Sequence, residues 1–164
     1  MTVTSSIRDL LAEHPFFAGL PDADLDLIAG CGRNVHFHPG QQVFAEGEAA
    51  DAFFVLRRGR VALSVHSPQS DEITIATVTD GDVLGWSWLF PPYRWHFDAH
   101  ATAETSAVAL DGACLRDKCD EDAALGYRLM QRFARLTQQR LQETRLQLLD
   151  LYGREHHGHR IVEH

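Results

Sequence analysis

Gly85 and Arg94 are the residues whose types and spacing best suit chemistry, and that chemistry is the holding of an oxyanion. They stand in GDVLGWSWLFPPYRWHFDAHATAET, residues 81–105. A Gly-Asp turn leads into a one-turn apolar helix expected to begin near Gly85, a Pro-Pro pair breaks it, and Arg94 follows. A helix start leaves backbone N–H groups unpaired, and a glycine there lets an anion approach the main chain closely. A guanidinium adds a planar fork of donors suited to phosphate or carboxylate. The expected anion contacts are therefore Gly85, Trp86, Ser87, Arg94 and Trp95, with Val83 and Leu84 as pocket wall.

Other chemistry has weaker support. Of the ten histidines, His36 and His38 are two apart on an expected strand and share a face, and His96 and His100 flank an expected loop-to-strand junction. Neither pair has a Cys or carboxylate at metal spacing, so no metal site is expected. The three cysteines, Cys31, Cys114 and Cys119, form no Cys-x-x-Cys pair, which fits reduced thiols in a cytosolic protein. There is no Gly-x-Ser-x-Gly elbow, Walker loop, His-Glu-x-x-His helix or Gly-x-Gly-x-x-Gly after a strand, so an enzyme is not expected.

With 164 residues, 45% hydrophobic and 23% charged, the chain can bury one core, and one domain is the natural count. A net charge of −8 argues against nucleic acid or an anionic membrane as partner, because both need a basic footprint. No apolar run is long enough to span a bilayer, and Arg8, Asp9 and Glu13 interrupt any signal-peptide pattern, so a cytoplasmic location is expected.

Short elements surround the anion motif. Ser5 or Ser6 caps an expected first helix over 5–13, which His14 and Pro15 break, and a second helix spans Asp22–Ala29 before Gly30 and Gly32. From Arg33 to Asp111 the chain turns into apolar runs at Val35–Phe37, Val43–Phe44, Phe53–Leu56, Val61–Val65, Ile73–Val78 and Ala107–Leu110. Pro39-Gly40, Glu46-Gly47, Arg58-Gly59 and Asp80-Gly81 mark the corners, a pattern of barrel or sandwich type. A short helix is expected over Gly112–Cys119 and a long one over Glu121–Tyr152. In the long helix Met130, Ala134, Thr137, Leu141, Thr144, Leu148 and Leu151 alternate steps of four and three, a coiled-coil seam that implies a homodimer. Leu125, Leu129, Phe133 and Leu136 form a second stripe, so that one stripe can pack on the barrel and the other on a partner helix; the alternative is that both form one wide core face.

The string PGQQVFAEGEAADAFFVLRRGRVAL, residues 39–63, resembles the first half of the β-roll of cyclic-nucleotide-binding domains of the Crp/Fnr type, glycine by glycine. Phe17-x-Gly19-Leu20 resembles that family's opening helices, and the Gly85–Arg94 segment resembles its phosphate-binding cassette. The resemblance covers about residues 14–152. It implies an α+β, mainly β fold: a double-stranded β-helix or jelly-roll barrel with short N-terminal helices, a cassette helix and a long C-terminal helix. The corresponding division is helices 5–30, β-roll 33–111 and helices 112–152 in one domain 1–152, with a flexible tail 153–164.

The resemblance implies that Arg94 holds a cyclic phosphate and that Arg140 and Leu141 contact the base, with cyclic AMP or cyclic GMP as ligand and no other cofactor. One departure weakens this. The family's Gly-Glu pair is Gly85-Trp86 here, and Trp has no acceptor for a ribose hydroxyl. A lost charge-assisted contact costs about 1.5–3 kcal/mol, or about ten- to hundred-fold in affinity. The implied function is a small-molecule sensor whose long helix relays binding to an unidentified protein partner. The alternative is a ligand-free adaptor in which Trp86 and Trp95 fill the pocket. The family's transcription factors carry a helix-turn-helix after the long helix. The residues after Tyr152 are too few for one, so a complete chain of this length is not expected to bind DNA.

Overall fold

A computed structural model describes residues 6–159. Helix α1, Ile7–Glu13, opens on a capping box: the Asp9 N–H donates to Ser6 Oγ at 3.2 Å and the Ser6 N–H to Asp9 Oδ2 at 3.4 Å. Two backbone donors that the helix itself leaves open are thereby satisfied. A 3-10 turn at Pro15–Phe17 follows, and α2 spans Asp22–Ala29 as expected, ending at Gly30. Arg8 of α1 pairs with Asp22 and Asp26 of α2.

Among the described residues eight strands build the jelly roll: β1 Gly32–Phe37, β2 Gln42–Phe44, β3 Ala52–Arg58, β4 Arg60–Ser67, β5 Ser70–Thr79, β6 Val83–Leu84, β7 Asp98–Ala101 and β8 Thr105–Asp111. They form two antiparallel sheets, ordered β1-β8-β3-β6 and β2-β7-β4-β5. Side chains alternate across each strand, so Phe44, Phe54, Leu56, Val61 and Leu63 point into one shared core. At the corner between β3 and β4, Gly59 has φ +123° and an added Cβ would stand 2.3 Å from Thr105 Oγ1, so only glycine fits.

Two strands carry too little pattern to be expected from sequence. β6 has only two residues. β7 reads Asp-Ala-His-Ala, and its inward residues, Ala99 and Ala101, are fully buried but too small to give a hydrophobic signal.

The cysteines require a correction. Cys31 and Cys114 form a disulfide with Cα atoms 5.6 Å apart, where reduced thiols were expected. The pair is 83 residues apart in sequence, but Gly32 of β1 faces Leu110 of β8. That pairing carries the residue before β1 to the helix after β8, and the Asp111 N–H donates to the Cys31 carbonyl at 2.8 Å. Cys119 is free, and burial pushes its thiol pKa up.

Helix α3, Gly112–Glu121, is capped by Asp111, which accepts from the Cys114 N–H at 2.8 Å. Helix α4 spans Ala123–His159, starting two residues later and ending seven later than expected. Gly153 costs helix stability without ending the helix, and no Pro follows to force a stop. The tail expected to be flexible from residue 153 is thus helical to His159, and 160–164 lie outside the described residues. The chain divides between Gly126 and Tyr127 into two compact units, the first holding α1–α3 with both sheets and the second most of α4.

Candidate functional site

The cassette begins at a turn that Asp82 closes with its own side chain, its Oδ2 accepting from the Thr79 N–H at 2.8 Å. β6 then pairs with β3, Leu84 opposite Phe54 and Val83 opposite Val55. Leu84 joins the core, and Val83 is buried on the opposite side of the strand. Gly85 follows at φ +92°, in the left-handed region that favours glycine. The helix expected near Gly85 is a single 3-10 turn over Ser87–Leu89, with Trp86 at its N-cap. Its later start follows from that left-handed glycine, which cannot be the first residue of a right-handed helix.

Arg116 of α3 supports the next segment, donating to the Trp88 carbonyl and lying 4.4 Å over the Tyr93 ring. Tyr93, Arg94 and Trp95 then run alongside the turn between β2 and β3. The Ala50 N–H donates to the Tyr93 carbonyl at 2.7 Å, the Trp95 N–H to the Glu48 carbonyl at 3.0 Å, and the Gly47 N–H to the Trp95 carbonyl at 2.9 Å. Ala49 and Arg94 form an isolated antiparallel bridge.

Along an extended segment consecutive side chains point to opposite sides, and that rule separates Arg94 from Trp95. Trp95 turns inward, 3% exposed, and stacks on Phe44 with centroids 3.8 Å apart and planes 10° from parallel. Its indole also covers Gly85: a Cβ there would stand 2.6 Å from Cη2 and 2.7 Å from Cζ3. Arg94 turns outward and donates to the Gly47 carbonyl at 2.8 Å. Among the described residues it makes no ion pair with a carboxylate.

The site residues thus fall into two groups. Gly85, Leu84 and Trp95 meet in the barrel, with Ser87 buried and Trp86 half-buried at the adjoining turn. Arg94 sits on the rim against Gly47. Arg140 is half-buried and Leu141 is 50% exposed, and both belong to the second unit. Two partners were not foreseen: Phe44, which stacks on Trp95, and Gly47, whose carbonyl holds Arg94. Their only sequence signals are a strand aromatic and a turn glycine, which look the same with or without a site. A separate cavity of about 300 Å³ lies at the disulfide, lined by residues including Arg33, Asp51, Asp111 and Cys114. Its two carboxylates suit it poorly to a phosphate.

The two four-stranded sheets, with the Gly85–Arg94 segment between β6 and β7, make a jelly-roll β-roll. The sequence model of the cyclic nucleotide-binding domain matches residues 34–122, more than half of the chain, and the chain belongs to that family. It is 27% identical over 143 residues to the CRP-like cAMP-activated global transcriptional regulator of Mycobacterium tuberculosis, covering 87% of this chain and 62% of that one. The chain therefore spans less than two thirds of that curated relative. A solved structure of a candidate cyclic nucleotide-binding protein from Geobacter metallireducens GS-15 is 33% identical, with TM-score 0.70 over 80% of this chain and 94% of that one. The Thermus thermophilus catabolite activator protein, at 24% identity and TM-score 0.66 over 84% of this chain and 63% of its own, shares the fold. Among the described residues no helix is long and apolar enough to cross a membrane.

Proposed function

We propose that this chain is a small-molecule sensor module that binds cyclic AMP, cyclic GMP or another phosphate-bearing ligand at the cassette and relays binding through α4. The observation that carries this reading is Arg94. Its guanidinium is exposed, holds one backbone carbonyl and has no carboxylate partner among the described residues, so its remaining donors are open to an oxyanion.

An oxyanion meets the Arg94 donors that the Gly47 carbonyl leaves open, and it reaches the main chain at Gly85 once the Trp95 indole moves aside. A ligand that favours the opened cassette shifts the population toward it, and the shift cannot exceed the ligand's differential affinity for the two forms. With Trp86 in place of a carboxylate, ribose recognition is weak and the phosphate and ring contacts dominate. The seam of Met130, Ala134, Thr137, Leu141, Thr144 and Leu148 joins two copies, so that the output passes to a protein partner.

A second reading, a ligand-free adaptor, is favoured by Trp95. An indole stacked on Phe44 and laid across the cassette glycine fills space by itself, and burying so large a ring is strongly favourable. Thermal-shift measurements with cyclic AMP and cyclic GMP separate the two. The sensor gives a stabilisation that Arg94→Ala abolishes, and the adaptor gives none with either nucleotide.

A further inference from the structure

A second site lies on the outer face of the sheet at the edge strand β1. The register pairs His36 with Ser106 and Phe37 with Thr105, so Glu104, one residue before β8, stands across from His38, one residue after β1. Val35 and Phe37 pack against the core, which leaves His36 and His38 on the outer face. The carboxylate of Glu104 lies between the two rings, whose centroids are 5.1 Å apart. His36 Nε2 is bonded to Glu104 Oε2, and His38 Nδ1 lies 3.1 Å from Oε1 and 3.3 Å from Oε2.

We propose that His36, His38 and Glu104 form a binding site for a divalent transition-metal ion such as zinc. One donor atom from each residue already lies within 4.8 Å of the other two. Two imidazoles with one carboxylate suit zinc, nickel, cobalt or copper, whereas magnesium and calcium need more oxygen ligands than a single carboxylate supplies. Each ring donates to the carboxylate through a nitrogen whose proton a metal ion would displace, so the three donor atoms already face one another. The other ring nitrogen of His36 lies 3.3 Å from Ser106 Oγ, an outer partner that orients the ring as metal-bound histidines require. All three residues are exposed, so water completes the coordination shell. The bound ion clips the edge strand β1 to its neighbour β8.

The test is calorimetric titration of the full chain with zinc. Because His156, His157, His159 and His164 could bind zinc on their own, all four are first changed to Gln in the parent protein. The parent should bind one equivalent, and Glu104→Gln and His38→Gln should each lose it, while His66→Gln, which alters a different His–Asp pair, should keep it. No binding by the parent, or unchanged binding in Glu104→Gln, would overturn the site. Circular dichroism of each variant establishes that the fold is intact, which exposed positions permit.

Discussion

Trp95 lies across Gly85, its ring carbons 2.6 and 2.7 Å from where a Cβ on that glycine would stand. The contact depends on glycine twice, for its φ of +92° and for its lack of a side chain. Gly85→Ala should therefore destabilise the protein by about 1–3 kcal/mol from backbone strain alone, with a further loss from displacing the indole. Urea denaturation measures this, and an unchanged midpoint would mean that the indole does not sit there.

The disulfide closes a loop of 83 residues, long enough for the cross-link to restrict the unfolded chain strongly. Reduction should cost about 2–4 kcal/mol. The unreduced protein should show one titratable thiol, Cys119, and that thiol should react slowly because burial raises its pKa. A Cys31→Ser, Cys114→Ser variant should lose stability and no longer respond to reductant. Three titratable thiols in the unreduced native protein would contradict the bridge.

His14 is buried between two partners that fix its tautomer. Its Nδ1 accepts from the Phe16 N–H at 3.2 Å, so its Nε2–H donates to the Leu56 carbonyl at 2.9 Å. Burial lowers its pKa from 6.5, so below that pH the unfolded chain binds a proton that the native chain resists. Stability should therefore fall as pH drops from 6.5 toward the lower folded pKa. Melting curves between neutral and mildly acidic pH should show this slope, and His14→Gln should flatten it. An identical slope in the variant would remove His14 as the cause.

The seam residues Leu141 and Leu148 are 50% and 51% exposed in the single chain, as an unpaired coiled-coil face would be. Leu141→Glu with Leu148→Glu should convert a dimer to a monomer in sedimentation equilibrium and leave the helix content unchanged. If the native chain and the variant have the same mass in solution, the dimer proposal fails.

These particulars show how far the sequence could be read. Gly-marked corners and the Ser-capped first helix were legible because a turn or a cap rests on a few neighbouring residues. That is why α2 ends where Gly30 was expected to end it. Features set by long-range pairing were not legible. Cys31 meets Cys114, and Glu104 meets His36 and His38, only because β1 pairs with β8. At the cassette, the residue types Gly85, Arg94 and Trp95 were readable, but the way they divide was not. The bridge at Ala49 fixes the extended segment, and alternation then sends Trp95 inward and Arg94 to the rim.

Calorimetric titration with cyclic AMP and cyclic GMP tests the central claim most directly, using the native chain, Arg94→Ala and Trp86→Glu. The sensor reading predicts saturable heat that Arg94→Ala abolishes and that Trp86→Glu strengthens by about ten- to hundred-fold in affinity, as a restored charge-assisted contact would. No heat from the native chain, even at millimolar nucleotide, would contradict cyclic-nucleotide sensing and leave the barrel closed by Trp95 as the basis of an adaptor.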